Sequence, residues 1–304
     1  MSTLAFGEVT ISRVVEISQS FNRTPQLLPD STPEAVARHH GWLKPHFWDE
    51  SVGDLAARIQ SFIVRTPEHT VLIDTGVGND KPRPGSPAWD RRQGTYLADL
   101  RAAGLAPEDV NLVLCTHLHV DHVGWNTRLE RGAGGRERWV PTFPKATYVF
   151  AGEEWEFWRH ESESGREASG CIADSVIPVV EAGQARFVDA PCAIDPWLSY
   201  EPWIGHTPGH VGVRLRSSAG SAVFSGDLMH RTVQVAEPGW SSKFCYDPAR
   251  AATTRREFVE RHAASGDLVL PAHFPHPGRI VRERGGCRFE PVMLAPAVHT
   301  SGAS

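Results

Sequence analysis

Nowhere does the 304-residue chain hold an unbroken apolar run approaching the ~18 residues of a membrane span. Its opening residues, MSTLAFGEVTISRVVEIS, have neither the basic start nor the apolar stretch of a secretory leader. Both absences argue against a membrane protein, and the expected location is the cytoplasm. The five cysteines (115, 171, 192, 245 and 287) are odd in number, scattered and never spaced C-x-x-C, which suits a reducing compartment better than a disulfide framework. Runs of Lys or Arg are also missing and the net charge is −5, so no basic face is available to nucleic acid. No internal repeat is visible. A chain of this length can bury a core without covalent staples, and one domain over 1–304 is expected.

What the chain does have is histidine and tryptophan, 15 and 10 of them, more than a packed core requires. Residues 8–17 alternate as a strand, and 59–73 read as two strands joined by a tight Pro-containing turn. Between them, residues 21–51 contain several prolines and a late cluster of aromatics, and read as a long loop excursion over the surface. A helix over 91–103 ends at Gly104, and VNLVLC (110–115) follows as a short strand. Residues 131–139, RGAGGRERW, read as a mobile loop. Short strands are expected within 146–151, 185–190, 198–205, 211–217, 221–227 and 268–274, with a helix near 248–264 before the last. Strands in both halves, each followed by helices, favour an α/β fold of two sheets between helical layers.

The chemistry concentrates where those strands end. LVLCTHLHVDHVGWN (112–126) places three histidines and an aspartate within six positions. Burying imidazoles and carboxylates is costly unless they are paired or bind a metal. His117 and His119 are two apart and point the same way on extended chain, while Asp121 and His122 follow as the chain turns. One loop can thereby serve two neighbouring metals of the zinc type, with a satisfied surface cluster as the bland alternative. Three more segments repeat the pattern of a polar residue after an apolar strand: WIGHTPGHVG with His210, AVFSGDLMH with Asp227, and LVLPAHFPHPG with His273.

The ordered series LIDTG (72–76), THLHVDH (116–122), TPGH (207–210), SGD (225–227) and AHF (272–274) resembles the metallo-β-lactamase superfamily of metallohydrolases. That resemblance covers roughly residues 55–280 and implies the αββα four-layer sandwich. It implies that His117, His119 and His210 bind one metal, that Asp121, His122 and His273 bind the second, and that Asp227 bridges both. Asp74 would accept a hydrogen bond from a ligand imidazole and fix its tautomer. His206 is read as structural and His276 as exposed. Two divalent ions are implied, zinc first, with Mn, Co or Fe as alternatives.

Such a pair lowers the pKa of a trapped water, so hydroxide attack on a small ester-like substrate is the expected reaction, with Asp121 passing a proton to the leaving group. The bond could belong to a lactone, a carboxylic ester or an organophosphate triester. Homoserine lactonases of the superfamily carry a tyrosine three residues after the bridging aspartate; here His230 stands there and is a candidate catalytic residue. The C-terminal segment looks closer to methyl parathion hydrolase and the hydrolytic chlorothalonil dehalogenase, which keeps dehalogenation of an activated aromatic open. A mononuclear iron sulfur dioxygenase and a non-catalytic, metal-stabilised binding module are further alternatives. Trp42, Phe47, Trp48, Trp125, Phe244 and Phe274 are expected to wall an apolar substrate pocket, whereas Trp155 and Trp158 are read as core. The expected partner is a small-molecule substrate, with no nucleic acid and no membrane, and a homodimer possible through the 21–51 excursion.

Overall fold

Alternation along the strands sorts their side chains between two faces, and those faces build the layers. In the strand Ile59–Arg65, Phe62 and Val64 point one way and Ile63 the other. In Leu112–Leu114 the outer pair joins Phe62 and Val64, while Val113 joins Ile63. The structure is a computed structural model that describes residues 2–18, 22–44, 46–293 and 295–296.

Eight strands form the first sheet, in the order 185–188, 147–151, 112–114, 70–73, 59–65, 9–17, 2–6 and 295–296. Seven form the second, in the order 192–193, 198–202, 211–217, 220–224, 268–270, 278–283 and 286–291. Their facing sides meet in one core, with Phe62, Ile73 and Leu114 from the first sheet against Val213, Phe224 and Leu270 from the second. The Phe62 and Phe224 rings lie 5.2 Å apart. Burial of each such side chain contributes roughly 1.5–3 kcal/mol.

The outer face of the first sheet packs Val113, Tyr148 and Phe150 against helix Tyr96–Ala102 and the helical segment 172–181. On the outer face of the second, Val223 and Val269 meet Phe258 and Val259 of helix Pro248–Ser265. That helix starts where the Asp247 side chain accepts from the Arg250 N–H and stops at Gly266, whose φ is +67°. The expected αββα sandwich is therefore the observed one.

Two expectations about loops are corrected. Within the 21–51 excursion, of which residues 21 and 45 lie outside the described part, the chain forms helices Thr24–Leu27, Pro33–Ala37 and His40–Leu43. A two-residue strand, Trp48–Asp49, then pairs with Asp54–Leu55. Leu27, Leu28, Val36, Leu43 and Phe47 are fully or almost fully buried in the core outside the second sheet, so the segment belongs to a helical layer. Asp54 secures it by accepting from Thr24 N–H at 2.8 Å and Thr24 Oγ1 at 2.5 Å. Of residues 131–139, read as a mobile loop, 131 and 137–139 pair in the hairpin of Thr127–Arg131 with Glu137–Pro141, and 132–136 form its connection.

Candidate metal centre

Strands 70–73, 112–114, 220–224 and 268–270 end on one side of the sandwich, and the polar residues that follow them meet there. Asp74 follows the first in a left-handed conformation, φ 55°, which is rare outside glycine. Its hydrogen bonds hold it in place: Oδ1 accepts from the Thr116 N–H at 2.8 Å, and Oδ2 accepts from Thr116 Oγ1 at 2.9 Å and His122 Nδ1 at 2.8 Å. Asp74 thus touches an imidazole as expected.

Thr116 extends this control to the next side chain. Its hydroxyl donates to Asp74 and accepts from His117 Nδ1 at 3.1 Å. His273 Nδ1 donates to the Arg58 carbonyl at 2.8 Å. In His117, His122 and His273 alike, Nδ1 is committed to an oxygen, which turns Nε2 toward the centre. Asp227 stands among these nitrogens. Its Oδ1 is 3.1 Å from His122 Nε2 and 2.9 Å from His273 Nε2. Its Oδ2 is 3.4 Å from His206 Nε2, 3.8 Å from His117 Nε2 and 3.1 Å from His230 Nε2. Ligand-type atoms fall into two groups, His117, His119, His206 and Asp227 in one, Asp121, His122 and His273 in the other, each within 4.8 Å of its fellows.

Six of the seven residues expected as ligands fall in these two groups. His210 was expected as a ligand and His206 as structural; among the described residues it is the His206 ring that joins the first group of ligand-type atoms, with the His210 ring beside it at 5.8 Å. His210 Nε2 accepts the Asp227 N–H at 3.1 Å and Nδ1 donates to the Trp203 carbonyl at 3.1 Å, so both ring nitrogens serve the backbone. His206 Nε2 instead lies 2.9 Å from His119 Nδ1 and faces Asp227. Gly226 permits the close fit at this turn: its φ is +50°, and a Cβ there would stand 2.7 Å from His210 Nε2.

Burial holds His117 and His206 well below the ordinary imidazole value and His119 down to about 4, so these rings are neutral and fit to ligate. His122 and His273 are raised, because the nearby carboxylates, Asp227 foremost, outweigh the opposing effect of burial. Burial also raises Asp227, but His122, His273 and His230 outweigh it and keep the carboxyl ionised, well below its ordinary value. Nε2 of His117 and of His122, Oδ1 of Asp227 and Nδ1 of His230 are buried without a hydrogen-bond partner. Converging lone pairs and uncompensated carboxylates are what a divalent cation satisfies, and the imidazole–carboxylate donor set suits zinc and its neighbours.

Glu154 clamps the two loops that flank this group. Fully buried, with its pKa raised by burial, it accepts from the N–H groups of Leu118 and Gly209, both at 3.0 Å, and from Trp158 Nε1 at 2.7 Å. Nothing in its local sequence marked it, because its role depends on two loops distant along the chain.

A cavity of about 690 Å³ opens over the group, lined by His119, Asp121, His206, Asp227 and His230 and by a wall of Pro87, Trp89, Leu118, Trp158 and Phe244 among others. Of the aromatics expected in the pocket, only Phe244 lines it. Trp125 turns away, stacking on Tyr96 at 5.3 Å and donating to the half-buried Glu16 at 2.8 Å. Phe274 and Phe47 are core and both pack on Phe289. Trp42 and Trp48 pack against the outer core of the second sheet. Trp158, read as core, is a wall residue, and Trp89 was missed.

The model of the metallo-beta-lactamase superfamily matches residues 56–273. The chain belongs to that superfamily. Members are metallohydrolases, and so is this protein. It is 28% identical over 245 residues to the human metallo-beta-lactamase domain-containing protein 1, covering 75% of this chain and 70% of that one. The Xenopus laevis protein of the same name is 27% identical over 218 residues, covering 70% and 69%. Among solved structures, the hydrolase AbOPH of the beta-lactamase superfamily superposes with a TM-score of 0.77 at 24% identity, over 97% of this chain and 98% of that one. AidC, a dizinc quorum-quenching lactonase solved with a product, gives 0.75 at 19% identity and the same coverage. Among the described residues, no helix is long and apolar enough to cross a membrane.

Proposed function

We propose that this metallohydrolase is dinuclear and cleaves a small, fairly apolar ester-like substrate, either a lactone or carboxylic ester or an organophosphate triester. The observation that carries the reading is the division of Asp227: Oδ1 faces His122 and His273, while Oδ2 faces His117 and His206. One carboxylate placed between two donor sets is the arrangement that a bridging ligand needs. A pair of divalent ions, zinc by its donor set, would supply an activated water and polarise the substrate oxygen.

The remaining work falls to the chain. Asp74, Thr116 and the Arg58 carbonyl fix the tautomers of His122, His117 and His273. Asp121 lines the cavity with Oδ2 3.6 Å from His273 Nε2, where it can carry a proton to the leaving group. His230 donates from Nε2 to Asp227, and burial holds its pKa low; as a neutral imidazole its Nδ1 accepts a proton or hydrogen bond. Pro87, Trp89, Leu118, Trp158 and Phe244 favour an apolar group beside the scissile bond. The product-bound lactonase on the same fold is consistent with ester chemistry.

The test is turnover of lactones, aryl esters and aryl phosphotriesters by protein carrying two equivalents of metal. Activity on at least one class, abolished by chelation and restored by zinc, is expected. Inactivity of the fully loaded protein on all three classes overturns the reading.

A further inference from the structure

Away from the cavity, the loop that carries His273 passes a second concentration of charge, and all of it is positive. Arg13 Nη1 donates to the Pro275 carbonyl at 2.7 Å and to Gln60 Oε1 at 3.2 Å. Arg58 Nη1 donates to the same Pro275 carbonyl at 2.8 Å. One shared acceptor holds the two guanidinium groups side by side. His276, expected to be exposed, is half-buried beside them, and the His46 ring lies 6.3 Å from it. Among the described residues no carboxylate forms an ion pair with any of the four, and the Nε and Nη2 atoms of both arginines have no protein acceptor.

Other buried arginines are either neutralised or held by several acceptors: Arg255, with no carboxylate partner among the described residues, donates to the carbonyls of Leu228, Pro238 and Trp240, whereas Arg13 and Arg58 share one carbonyl. Arg214 is paired with Glu201 and Asp267, and Arg83 with Asp174. Half-burying two guanidinium groups against each other is unfavourable unless an anion joins them. The free edges of two planar forks suit an oxyanion with several acceptor atoms. Burial and mutual repulsion lower Arg13 to about 10, and burial beside the guanidinium groups of Arg13 and Arg58 lowers His276 to about 4, which fits a cluster short of negative charge.

We propose that Arg13, Arg58 and His276, with His46 at the rim, form a binding site for a small oxyanion bearing a phosphate or carboxylate group. The site is separate from the metal group yet adjoins it through the backbone: Arg58 N–H donates to the His273 carbonyl at 3.0 Å, and the Arg58 carbonyl accepts from His273 Nδ1. An anion that draws in the Arg58 side chain therefore acts on the residue that orients His273.

Selenate soaked into crystals of the metal-loaded protein locates the anion by its anomalous scattering, which separates this cluster from the metal group. A peak in contact with both guanidinium groups is expected. In solution, phosphate and acetate are titrated calorimetrically into wild type, Arg13→Gln, Arg58→Gln and Arg58→Lys, with metal content measured on each. Affinity at this site should fall about tenfold or more in both Gln variants and partly recover in Arg58→Lys, with metal content unchanged. The two ligands distinguish a phosphate site from a carboxylate site. If a Gln variant fails to fold by circular dichroism, the wild-type selenate map decides. Selenate at the metal group alone, binding equal in wild type and both Gln variants, or a carboxylate of a neighbouring copy filling the cluster would each overturn the proposal. Because the site needs no turnover, its failure leaves the hydrolase reading untouched, and the converse holds.

Discussion

Two regions of this protein bury charge, and they do it differently. Around Lys81, which is fully buried, the charges answer one another. Arg83 donates to both oxygens of Asp174, at 2.6 and 2.8 Å, and Lys81 donates to Thr127 Oγ1 at 2.5 Å and to the Asp174 carbonyl at 3.0 Å while lying 3.6 Å above the Trp139 ring. Around Asp227, Nε2 of His117, Nε2 of His122 and Nδ1 of His230 have no hydrogen-bond partner. In the first cluster the charges pair within the chain, with Arg83 Nε alone of its polar atoms short of an acceptor among the described residues, and the cluster joins the hairpin 127–141 to the segment leading into the cavity wall. The second leaves polar atoms aimed at a common space, which a structural network has no reason to do. Unanswered donors and acceptors, more than burial itself, mark the functional centre.

The sharpest way to break that contrast is to remove the residue on which the second cluster converges. Asp227→Ala should lose tight binding of metal in both groups and reduce turnover about a thousandfold or more, a loss of several kcal/mol of transition-state stabilisation. Elemental analysis after gel filtration checks it; retention of two equivalents contradicts the bridging role. His206→Ala and His210→Ala should then differ. The first removes a nitrogen that faces Asp227, and metal affinity should fall more than about 100-fold. The second removes a ring whose Nε2 accepts the Asp227 N–H, and if that is its role the change should cost about 10- to 100-fold. Titration with a competing chelator ranks the two, and the reverse order would restore His210 as the ligand.

The paired cluster fails by a different route. Asp174→Ala leaves Lys81 and Arg83 buried without their anion and should cost about 3–5 kcal/mol, read by urea unfolding of the metal-loaded protein. Lys81 adds a pH signature. Burial, only partly opposed by Asp174, lowers it from 10.5 to about 7. Between those values the unfolded chain holds a proton that the folded one has released, so stability rises with pH through this window, by at most about 1.4 kcal/mol per unit. Wild type should gain on Lys81→Met between about pH 7 and pH 8.5, where tyrosines do not yet titrate. Parallel curves for the two proteins would show that Lys81 stays charged.

What could be read along the chain follows from the same contrast. His117, His119, Asp121, His122, Asp227 and His273 were legible because they cluster in the short turns and loops after apolar strands, where a polar side chain needs a reason to be. The choice between His206 and His210 was not. Both stand in GHTPGH, and the decision lies in which ring the Asp227 N–H engages, a contact across the fold. The helices at 24–27, 33–37 and 40–43 are too short to show a 3.6-residue period, so the segment read as a loop. The pocket wall was hardest. Trp125 and Phe274 adjoin expected ligands in sequence, but the direction of a side chain depends on its packing partner, Tyr96 for one and Phe289 for the other.

That distinction gives the smallest of the expected effects and the most specific. Phe244 lines the cavity and is 46% exposed, so little of the fold depends on it. Phe244→Ala should raise KM several-fold for the more apolar members of a substrate series, leaving kcat and the melting temperature nearly unchanged, since it removes binding shared by ground and transition states. Trp125→Ala removes a buried ring and leaves Glu16 without one of its donors, so it should destabilise by about 3–5 kcal/mol while KM stays put. Measuring KM and thermal unfolding on both variants separates wall from core. A KM shift confined to Trp125→Ala would return that residue to the pocket and move the substrate to the other side of the metal group.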